Sequence, residues 1–456
     1  MHIHILGICG TLMGSIALLA KAQGHTITGS DDGVYPPMSD QLRLEGIALQ
    51  SPYGPDSVPG TADLVVLGNA GLGRGNPAVE ALLSKGTAFC SGAEFLGRFI
   101  LKEKWVIAAS GTHGKTTTAS MITWILECAG LNPGYLIGGI PTNFERSARL
   151  TESPFFVIEA DEYDTSFFDR QSKFLHYHPR TLVINNLEFD HADIFANLKA
   201  IEDQFHQLIR RVPASGLIIT NGQDDNIKTL LGRGIWSEQL TFAVTNADGP
   251  RPSNYLTIDQ TSRLVVLNRA PIGELHWQLS GAHNLSNALA AIAAARHVGV
   301  PPKQSIDYLA DFSGVKRRME IVKTSPKAVL YDDFAHHPTA IGSTLAGLRE
   351  TVGPAPIYAV LEPRSHTMRL GIHEAQLVEA CKTADQVFWL KPTNLAFDLD
   401  QAVTPSGHKV FEEPLALAAA VAQQLGLEDS SAHIVIMSNG GIDALKAALL
   451  DQIHHA

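Results

Sequence analysis

The chain has 456 residues, 45% hydrophobic and 18% charged, a balance that is typical of globular domains and excludes disordered and fibrous classes. Its 35 basic and 46 acidic side chains give a net charge of −11, so the basic surface that a nucleic-acid partner requires is not expected. At roughly 100–200 residues per domain, this length predicts two to four domains.

The cysteines, the N-terminus and the apolar runs bear on the cellular compartment of the protein. The four cysteines (Cys9, Cys90, Cys128 and Cys381) are scattered, which disfavours a disulfide framework or a structural zinc site and fits a reducing environment. The N-terminus runs directly into a strand-like segment without a signal pattern. The longest apolar run, residues 288–295, is far shorter than the roughly 18 residues of a membrane span. We therefore expect a cytoplasmic protein with no membrane span.

The first hundred residues alternate strand and helix patterns, which is typical of a parallel sheet. The predicted strands are 3–6, 26–29 and 63–67, and the predicted helices are 11–23, 76–85 and 93–101. The charged stretch 102–104 is a predicted linker.

Two further units follow. The second has predicted strands at 105–109, 155–159, 181–185 and 216–220, then antiparallel strands at 240–244, 264–268 and 275–279, with helices at 116–129, 198–212 and 288–296. The third has strands at 328–331, 356–361, 386–390 and 433–437, and its helices 338–350 and 414–425 each open with proline. The predicted fold class is therefore α/β with three domains.

The clearest chemical signal is the segment 109–117, Ala-Ser-Gly-Thr-His-Gly-Lys-Thr-Thr, between a predicted strand and a predicted helix. Such a loop directs backbone N–H groups and a helix N-terminus at phosphate oxygens. Lys115 is expected against the β- and γ-phosphates, and the Thr116 hydroxyl on Mg²⁺. Ala109 stands where the strict P-loop has glycine, so an ordinary glycine-rich turn is the alternative. The candidate ATP-binding residues of this loop are Gly111, Thr112, His113, Gly114, Lys115, Thr116 and Thr117.

Acidic and imidazole groups follow two other predicted strands. Glu159 ends a strand and is well placed to bind Mg²⁺, whereas Asp161 and Glu162 fit a solvated loop at least as well. His191 follows the strand 181–185 and is either the ligand of a second cation or a structural histidine. The candidate metal ligands are thus Thr116, Glu159 and His191, and the candidate catalytic residues are Lys115, Glu159 and His191.

The N-terminal loop, residues 7–14, resembles a dinucleotide fingerprint but fails it, because Cys9 and Leu12 stand where glycines are needed. A diphosphate could still bind at the following helix N-terminus, and Asp31 lies where a ribose-binding acid is expected. These features favour a nucleotide-diphosphate ligand over NAD, with packing glycines as the alternative. The candidate substrate-binding residues are Gly10, Thr11, Asp31 and Asn69.

Together these segments resemble the Mur ligase family of peptidoglycan synthesis, over nearly the whole chain and in the family's order. The segment 111–117 is similar to the family's ATP loop, and 159–162 to its acidic segment. The resemblance implies a Rossmann-like N-terminal domain for the UDP-sugar (1–104), a P-loop ATP domain with a mixed sheet (105–315) and a Rossmann-like C-terminal domain for the amine or peptide (316–456). It adds the ATP contacts Asn284, Asn287, Arg318, Asp332 and His336.

The resemblance also implies a substrate. The histidine of the ATP loop and the His336-His337-Pro338 turn resemble family members that act on UDP-N-acetylmuramate. The segments 7–14, 30–38, 75–77, 161–169, 186–193 and 362–365 resemble the member that joins the murein tripeptide L-alanyl-γ-D-glutamyl-meso-diaminopimelate to it during peptidoglycan recycling. An ADP-forming ligase that uses ATP and Mg²⁺ is therefore expected. The alternatives are the biosynthetic ligase for L-alanine, a non-catalytic nucleotide-binding regulator and a nicotinamide oxidoreductase.

Two further positions bear on the peptide substrate and on the second metal site. Arg364 lies just past the strand 356–361, in one of the segments with this resemblance. Its guanidinium could bind a peptide carboxylate bidentately, and a surface arginine is the alternative. Many family members carry a carbamylated lysine near the second metal. Glu202 stands at that position here, with Lys199 about one turn away, so no carbamylated lysine is expected.

Overall fold

The computed structural model describes residues 1–35, 38–144, 146–246, 254–428 and 431–455. Pro36 and Pro37, within the segment 30–38 named above, lie outside these residues. The chain forms two compact units, the first made of residues 1–188, 199–277 and 286–312 and the second of residues 189–198, 278–285 and 313–456. Among the described helices, none is long and apolar enough to cross a membrane.

The first sheet has five parallel strands in the order β3-β2-β1-β4-β5, namely β1 His2–Leu6, β2 Thr26–Ser30, β3 Ala48–Gln50, β4 Leu64–Leu67 and β5 Phe89–Ser91. Ile3, Ile5 and Leu6 are fully buried, as expected where helices cover both faces of a parallel sheet. Its helices are Thr11–Ala22, Met38–Leu44, Pro77–Lys85 and Gly92–Phe95. The helix predicted at 93–101 is α-helical only in its first turn, because Leu96–Ile100 form a π-helix.

The central sheet has ten strands in the order β15-β14-β13-β12-β11-β10-β6-β9-β7-β8. They are β6 Trp105–Ser110, β7 Gly134–Leu136, β8 Ala148–Arg149, β9 Phe155–Glu159, β10 Thr181–Ile184, β11 Leu217–Asn221, β12 Glu238–Thr245, β13 Tyr255–Asp259, β14 Leu264–Leu267 and β15 Ala270–Glu274. Its α-helices are Lys115–Cys128, Leu198–Ile209, Asp225–Leu231, Ala282–His297 and Pro302–Leu309, and Lys173–His176 form a 3₁₀ turn. In register, Ala109 of β6 lies opposite Glu159 of β9, and Ser110 lies opposite Ile184 of β10. The carboxyl ends of these three strands therefore meet at one edge.

Two sequence predictions for this sheet are wrong. β12 is parallel to both of its neighbours, β11 and β13. For the first of these pairs, the helix Asp225–Leu231 returns the chain to the same edge after β11. The strand predicted at 275–279 lies instead at β15. Asn268 and Arg269 both have positive φ, of 51° and 72°, so a two-residue hairpin turn pairs Leu267 with Ala270 and fixes the strand before residue 275.

The third sheet belongs to the second unit and has six strands in the order β16-β17-β21-β18-β19-β20. They are β16 Glu320–Thr324, β17 Ala328–Asp333, β18 Ile357–Leu361, β19 Gln386–Leu390, β20 Lys409–Phe411 and β21 Ala432–Met437, of which only the pair β16–β17 is antiparallel. Its α-helices are Pro338–Val352, His366–Arg369, Leu377–Ala380, Leu399–Val403, Pro414–Leu425 and Asp443–His455. The predicted α/β class with a mixed central sheet is confirmed. The domain limits 1–104, 105–315 and 316–456 stay a prediction.

Candidate active site

The loop between β6 and the helix Lys115–Cys128 requires glycine at two positions. Gly111 has φ +124° and Gly114 has φ +78°, a region that residues with a Cβ rarely adopt. A Cβ on Gly114 would also lie 2.4 Å from Oδ1 of Asn287, and one on Gly111 would lie 3.0 Å from the carbonyl oxygen of Asn186. The two glycines therefore meet the backbone requirement of a phosphate-binding loop that precedes a helix N-terminus.

Lys115 begins this helix, and it is only 6% exposed. Its Nζ donates to the carbonyl of Gly111 at 2.8 Å and lies 3.1 Å from Oε2 of Glu162 and 3.6 Å from Oδ1 of Asp161. Burial alone lowers the pKa of Lys115, but the opposing charges, with Glu162 the strongest, raise it overall. The ammonium therefore keeps its charge in a buried position. Glu162 is 2% exposed, so the solvated-loop alternative is wrong for this residue.

Thr116 and Glu159 form a second contact at the loop. The Thr116 hydroxyl donates to Oε1 of Glu159 at 2.7 Å, and the backbone N–H of Gly138 donates to Oε2 at 2.7 Å. Glu159 reaches this point because it is the last residue of β9, which runs parallel to β6. Hydroxyl and carboxylate oxygens are the ligands that Mg²⁺ prefers. The two predicted ligands are thus adjacent, and they fit the donor set of a magnesium site.

The segment after β10 supports the loop from the other side, a role that the sequence patterns did not predict. Oδ1 of Asn186 accepts from the backbone N–H of His113 at 2.7 Å, and its Nδ2 donates to the carbonyl of His113 at 3.2 Å. The backbone N–H of Glu188 donates to Oγ1 of Thr112 at 2.8 Å, and Oε2 of Glu188 lies 3.1 Å from Nε2 of His113. These contacts fix the P-loop backbone. Their position directly after a parallel strand is the signal that could have identified them.

Asn287 lies behind the loop. It is 6% exposed, and its Oδ1 accepts from the Thr118 hydroxyl at 3.2 Å. Nδ2 of Asn185 donates to the same hydroxyl at 2.8 Å, which closes a buried polar network. Thr117 is also buried, at 8% exposed. In this structure Asn287 braces the P-loop helix, and its predicted ATP contact stays a prediction.

In the second unit, two predicted histidines approach one carboxylate. Nε2 of His191 lies 3.7 Å and Nε2 of His336 3.9 Å from Oδ2 of Asp190, while the Thr367 hydroxyl donates to Oδ1 at 2.7 Å. Burial raises the pKa of Asp190, but His191 and then the Thr367 hydrogen bond and His336 hold it well below its ordinary value. His191 has φ +54°, a conformation that costs free energy in a residue other than glycine. Asp190 therefore stays ionised between the two imidazoles.

A buried ion-pair group surrounds Asp332. This residue is 2% exposed, its Oδ1 lies 3.4 Å from Nε of Arg317 and its Oδ2 lies 3.0 Å from Nζ of Lys446. Cζ of Arg318 stacks 5.0 Å from the ring centroid of Phe334. Asp332 thus orients two cations that the sequence patterns did not assign. The ATP contacts predicted for Asp332 and Arg318 stay predictions.

Two other predicted residues of the second unit have local partners. Asn284 donates from Nδ2 to the carbonyl of Ser280 at 2.8 Å. Arg364 donates from Nη1 to the carbonyl of Gly441 at 2.9 Å, the same Nη1 lies 3.5 Å from Oε1 of Glu362, and the side chain is 40% exposed. That hydrogen bond uses one of the five N–H donors of a guanidinium. Arg364 is therefore positioned on the surface of its unit with donor capacity left for an anionic ligand.

The loop after β1 is tied to the end of β2 by Asp31. Oδ2 of Asp31 accepts from the backbone N–H of Cys9 at 2.8 Å, and Oδ1 accepts from that of Gly33 at 3.0 Å. Strand order reverses between β1 and β4, and in α/β sheets ligands bind beside such a point at the carboxyl edge.

The other candidate residues of the first sheet lie at the same edge. Gly10 is the N-cap of the helix Thr11–Ala22, and Thr11 is its exposed first residue. Asn69 follows β4, and its Nδ2 donates to Oδ1 of Asp164 at 2.8 Å. The substrate-binding roles of Gly10, Thr11, Asp31 and Asn69 stay predictions.

Sequence models of three domains of one family match the chain in succession. The "Mur ligase family, catalytic domain" matches residues 2–104, the "Mur ligase middle domain" residues 109–295, and the "Mur ligase, glutamate ligase domain" residues 317–440. The chain belongs to the Mur ligase family. The resemblance drawn from the sequence is confirmed, and this Mur ligase is an ATP-dependent, ADP-forming amide ligase. The oxidoreductase and regulator alternatives are therefore wrong.

Individual relatives differ in their sequence identity to this Mur ligase and in the share of the chain that they cover. It is 49% identical over 456 residues to the UDP-N-acetylmuramate–L-alanyl-gamma-D-glutamyl-meso-2,6-diaminoheptandioate ligase of Escherichia coli (strain K12), covering 99% of this chain and 98% of that one. It is 33% identical over 371 residues to the UDP-N-acetylmuramate–L-alanine ligase of Desulfitobacterium hafniense (strain Y51), covering 80% and 79%. The crystal structure of a murein peptide ligase from Psychrobacter arcticus 273-4 is similar with a TM-score of 0.72 and 39% identity, covering 100% and 99%.

Proposed function

We propose that this Mur ligase joins L-alanyl-γ-D-glutamyl-meso-diaminopimelate to UDP-N-acetylmuramate in peptidoglycan recycling. The observation that carries the proposal is the 49% identity, over 99% of the chain, to a relative named for this pair of substrates. Identity to the L-alanine ligase of Desulfitobacterium hafniense is 33% and covers 80% of the chain. The four cysteines are unpaired, which supports a cytoplasmic location. We further propose that residues 1–104 bind the UDP-sugar, 105–315 ATP and 316–456 the peptide.

The chemistry must activate a carboxylate, because a carboxylate and an amine at neutral pH form only a salt. The γ-phosphoryl group of ATP is transferred to an oxygen of the lactyl carboxylate, which gives an acyl phosphate and ADP. The peptide amine then attacks the acyl carbon, the amide bond forms and inorganic phosphate leaves. Two anions approach each other in the first step, so Lys115 is proposed to offset charge on the phosphoryl group.

The charge balance at the loop supports a divalent cation. Lys115 is surrounded by the carboxylates of Glu159, Asp161 and Glu162, all of which act on its pKa. A bound triphosphate would add negative charge to this acidic surround. We therefore propose that Thr116 and Glu159 hold a magnesium ion. We also propose that His191 is a ligand of a second cation. Such an ion supplies charge neutralisation for phosphoryl transfer.

The choice of amine is tested by comparing two substrates. With ATP, Mg²⁺ and UDP-N-acetylmuramate held constant, phosphate release is measured over a concentration series of the tripeptide and of free L-alanine. We expect kcat/KM to favour the tripeptide by at least about tenfold, which corresponds to one added charge-assisted contact. A preference for L-alanine would make the protein the biosynthetic ligase instead.

Arg364→Ala tests the residue proposed to recognise the peptide. Since the guanidinium has donors available for a carboxylate, its loss should raise the tripeptide KM about tenfold or more. The KM values for ATP and UDP-N-acetylmuramate should stay near those of the wild type. Lys382→Ala, which removes a 68% exposed cation from the same unit, is the matched control and should change none of the three. An unchanged tripeptide KM in Arg364→Ala would mean that Arg364 is a surface arginine that does not bind the peptide.

A further inference from the structure

A cavity of about 710 Å³ lies in the first unit at the amino edge of the central sheet. Its walls come from the π-helix, the linker 102–104 and the residues that precede or open β6, β9 and β10. Trp105 lines it and is the first residue of β6, whereas the P-loop follows Ser110, the last residue of that strand. At about 3.3 Å per residue, the strand separates the cavity from the P-loop by about 16 Å. The cavity is thus distinct from the site described above.

The cavity carries a positive charge within an acidic protein. Its lining includes the cations Arg98, Lys102, Lys104 and Arg180 and the single acid Glu103, a surplus of three positive charges, although the whole chain has a net charge of −11. Since opposite charges attract, this concentration of cations favours the binding of an anion.

Among the described residues, two of the four cations form hydrogen bonds or ion pairs within the protein, and two do not. Lys104 donates to the carbonyls of Thr151 and Ser153 at 2.9 and 2.7 Å, and Arg98 pairs with Glu94 at 2.8 Å. Within the part of the chain that the structure describes, the side chains of Lys102 and Arg180 make no hydrogen bond or ion pair, and both residues are exposed. Lys102 and Arg180 are therefore the groups available to an anion.

The guanidinium of Arg180 lies over the ring of Trp105. Its Cζ lies 5.2 Å from the ring centroid of Trp105, and that ring is anchored by its Nε1, which donates to Oγ1 of Thr181 at 3.0 Å. The ring of His297 packs against Trp105 at 5.3 Å. A guanidinium that lies over an aromatic ring keeps N–H donors available, and such donors can bind a phosphate with two hydrogen bonds.

The backbone around the cavity is also specialised. The π-helix Leu96–Ile100 supplies Gly97, Arg98 and Phe99 to the wall. π-helical turns are rare in proteins, and those that occur are often found at functional sites. A Cβ on Gly97 would lie 2.1 Å from the carbonyl oxygen of His176, so only glycine allows this close approach. Phe99 adds aromatic surface to the cavity.

We propose that this cavity is a second nucleotide-sized site, which binds a small phosphorylated ligand with a planar ring. Arg180 and Lys102 bind the phosphate, and the aromatic side chains contact the ring. Its volume lies within the range of about 300–1,000 Å³ that is usual for small-molecule sites and exceeds what inorganic phosphate alone would fill. This inference goes beyond the proposed ligation reaction. The ligand would contact the linker between the segments that the first two family models match.

The test uses GMP as the probe and the full-length protein with both substrate sites filled. Saturating Mg²⁺ with a non-hydrolysable ATP analogue occupies the P-loop, and saturating UDP-N-acetylmuramate occupies the sugar site. GMP is then titrated by calorimetry. We expect one binding event that Arg180→Ala weakens about tenfold or more, because a charge-assisted bidentate contact is lost. Lys102→Ala, which changes an exposed side chain, should weaken it as well.

Three controls make the result decisive. Lys228→Ala removes an exposed lysine on the helix Asp225–Leu231, outside the cavity, and should leave GMP binding unchanged. Guanosine should not bind measurably, and inorganic phosphate should bind more weakly than GMP. The proposal is overturned if GMP shows no binding with both substrate sites filled, or if neither Arg180→Ala nor Lys102→Ala weakens it. Guanosine or inorganic phosphate binding as tightly as GMP would also overturn it.

Discussion

Lys115→Ala is expected to lower kcat for ligation by at least about 10²–10³-fold, the usual loss when a group that stabilises transition-state charge is removed. Lys115 begins the helix that follows the P-loop, and its ammonium stays charged although it is buried. Because the charge on the transferred phosphoryl group develops in the transition state, the loss should fall mainly on kcat. Single-turnover phosphate release with saturating substrates measures this step.

The structure adds a complication that the experiment must separate. Lys115 lies 3.1 Å from the buried carboxylate of Glu162, so its removal leaves that charge without its cation. Breaking one side of a buried ion pair costs about 3–5 kcal/mol of stability. A loss of activity in Lys115→Ala alone could therefore reflect unfolding.

The double variant Lys115→Met with Glu162→Gln resolves this. It replaces the pair with neutral groups of similar size and should unfold at a temperature closer to that of the wild type than Lys115→Ala does. Its ligation rate should remain as low as that of Lys115→Ala, because the charge is still missing. Recovery of near wild-type turnover in the folded double variant would contradict the proposed role of Lys115.

The sequence predicts those parts of the fold that depend on local pattern. The strand Phe155–Glu159 and the helix Pro414–Leu425 have the predicted bounds, because an apolar run before an acid and a proline at a first helical turn are local signals. Local pattern does not predict the direction of β12, because that direction depends on which strands β12 pairs with in the sheet. Such pairing is set by long-range packing and leaves no mark within the strand itself.

The same limit applies to the candidate site. The P-loop is evident because its glycines, lysine and threonines are consecutive. Glu162 looks like part of a solvated acidic loop, and only its contact with Lys115, 47 residues away, explains its burial. The position of Asn186 directly after β10 indicates only that it lies near the site, and its two hydrogen bonds to the backbone of His113 are seen only in the structure. Residues that support a site through tertiary contacts require the structure.

The other large effect expected is on the metal requirement, which Glu159→Ala should change. Glu159 offers one carboxylate beside the Thr116 hydroxyl, and a magnesium ion in a phosphoryl-transfer site is usually held by one or two carboxylates together with substrate phosphates. Loss of that ligand should raise the Mg²⁺ concentration for half-maximal ligation by about tenfold or more. Initial rates at saturating ATP, measured against free Mg²⁺, give this value.

The matched control is Glu152→Ala, which removes an exposed carboxylate seven positions earlier in the chain and should leave the Mg²⁺ titration unchanged. Glu159 also accepts a hydrogen bond from the backbone of Gly138, so the thermal unfolding of both variants is followed in parallel. Glu159→Gln keeps the size and the accepting oxygen but not the charge. If the charge binds the ion, Glu159→Gln should need nearly as much Mg²⁺ as Glu159→Ala while unfolding closer to the wild-type temperature. An unchanged Mg²⁺ requirement in both Glu159 variants, with lowered stability, would mean that Glu159 only holds the loop of Gly138 in place.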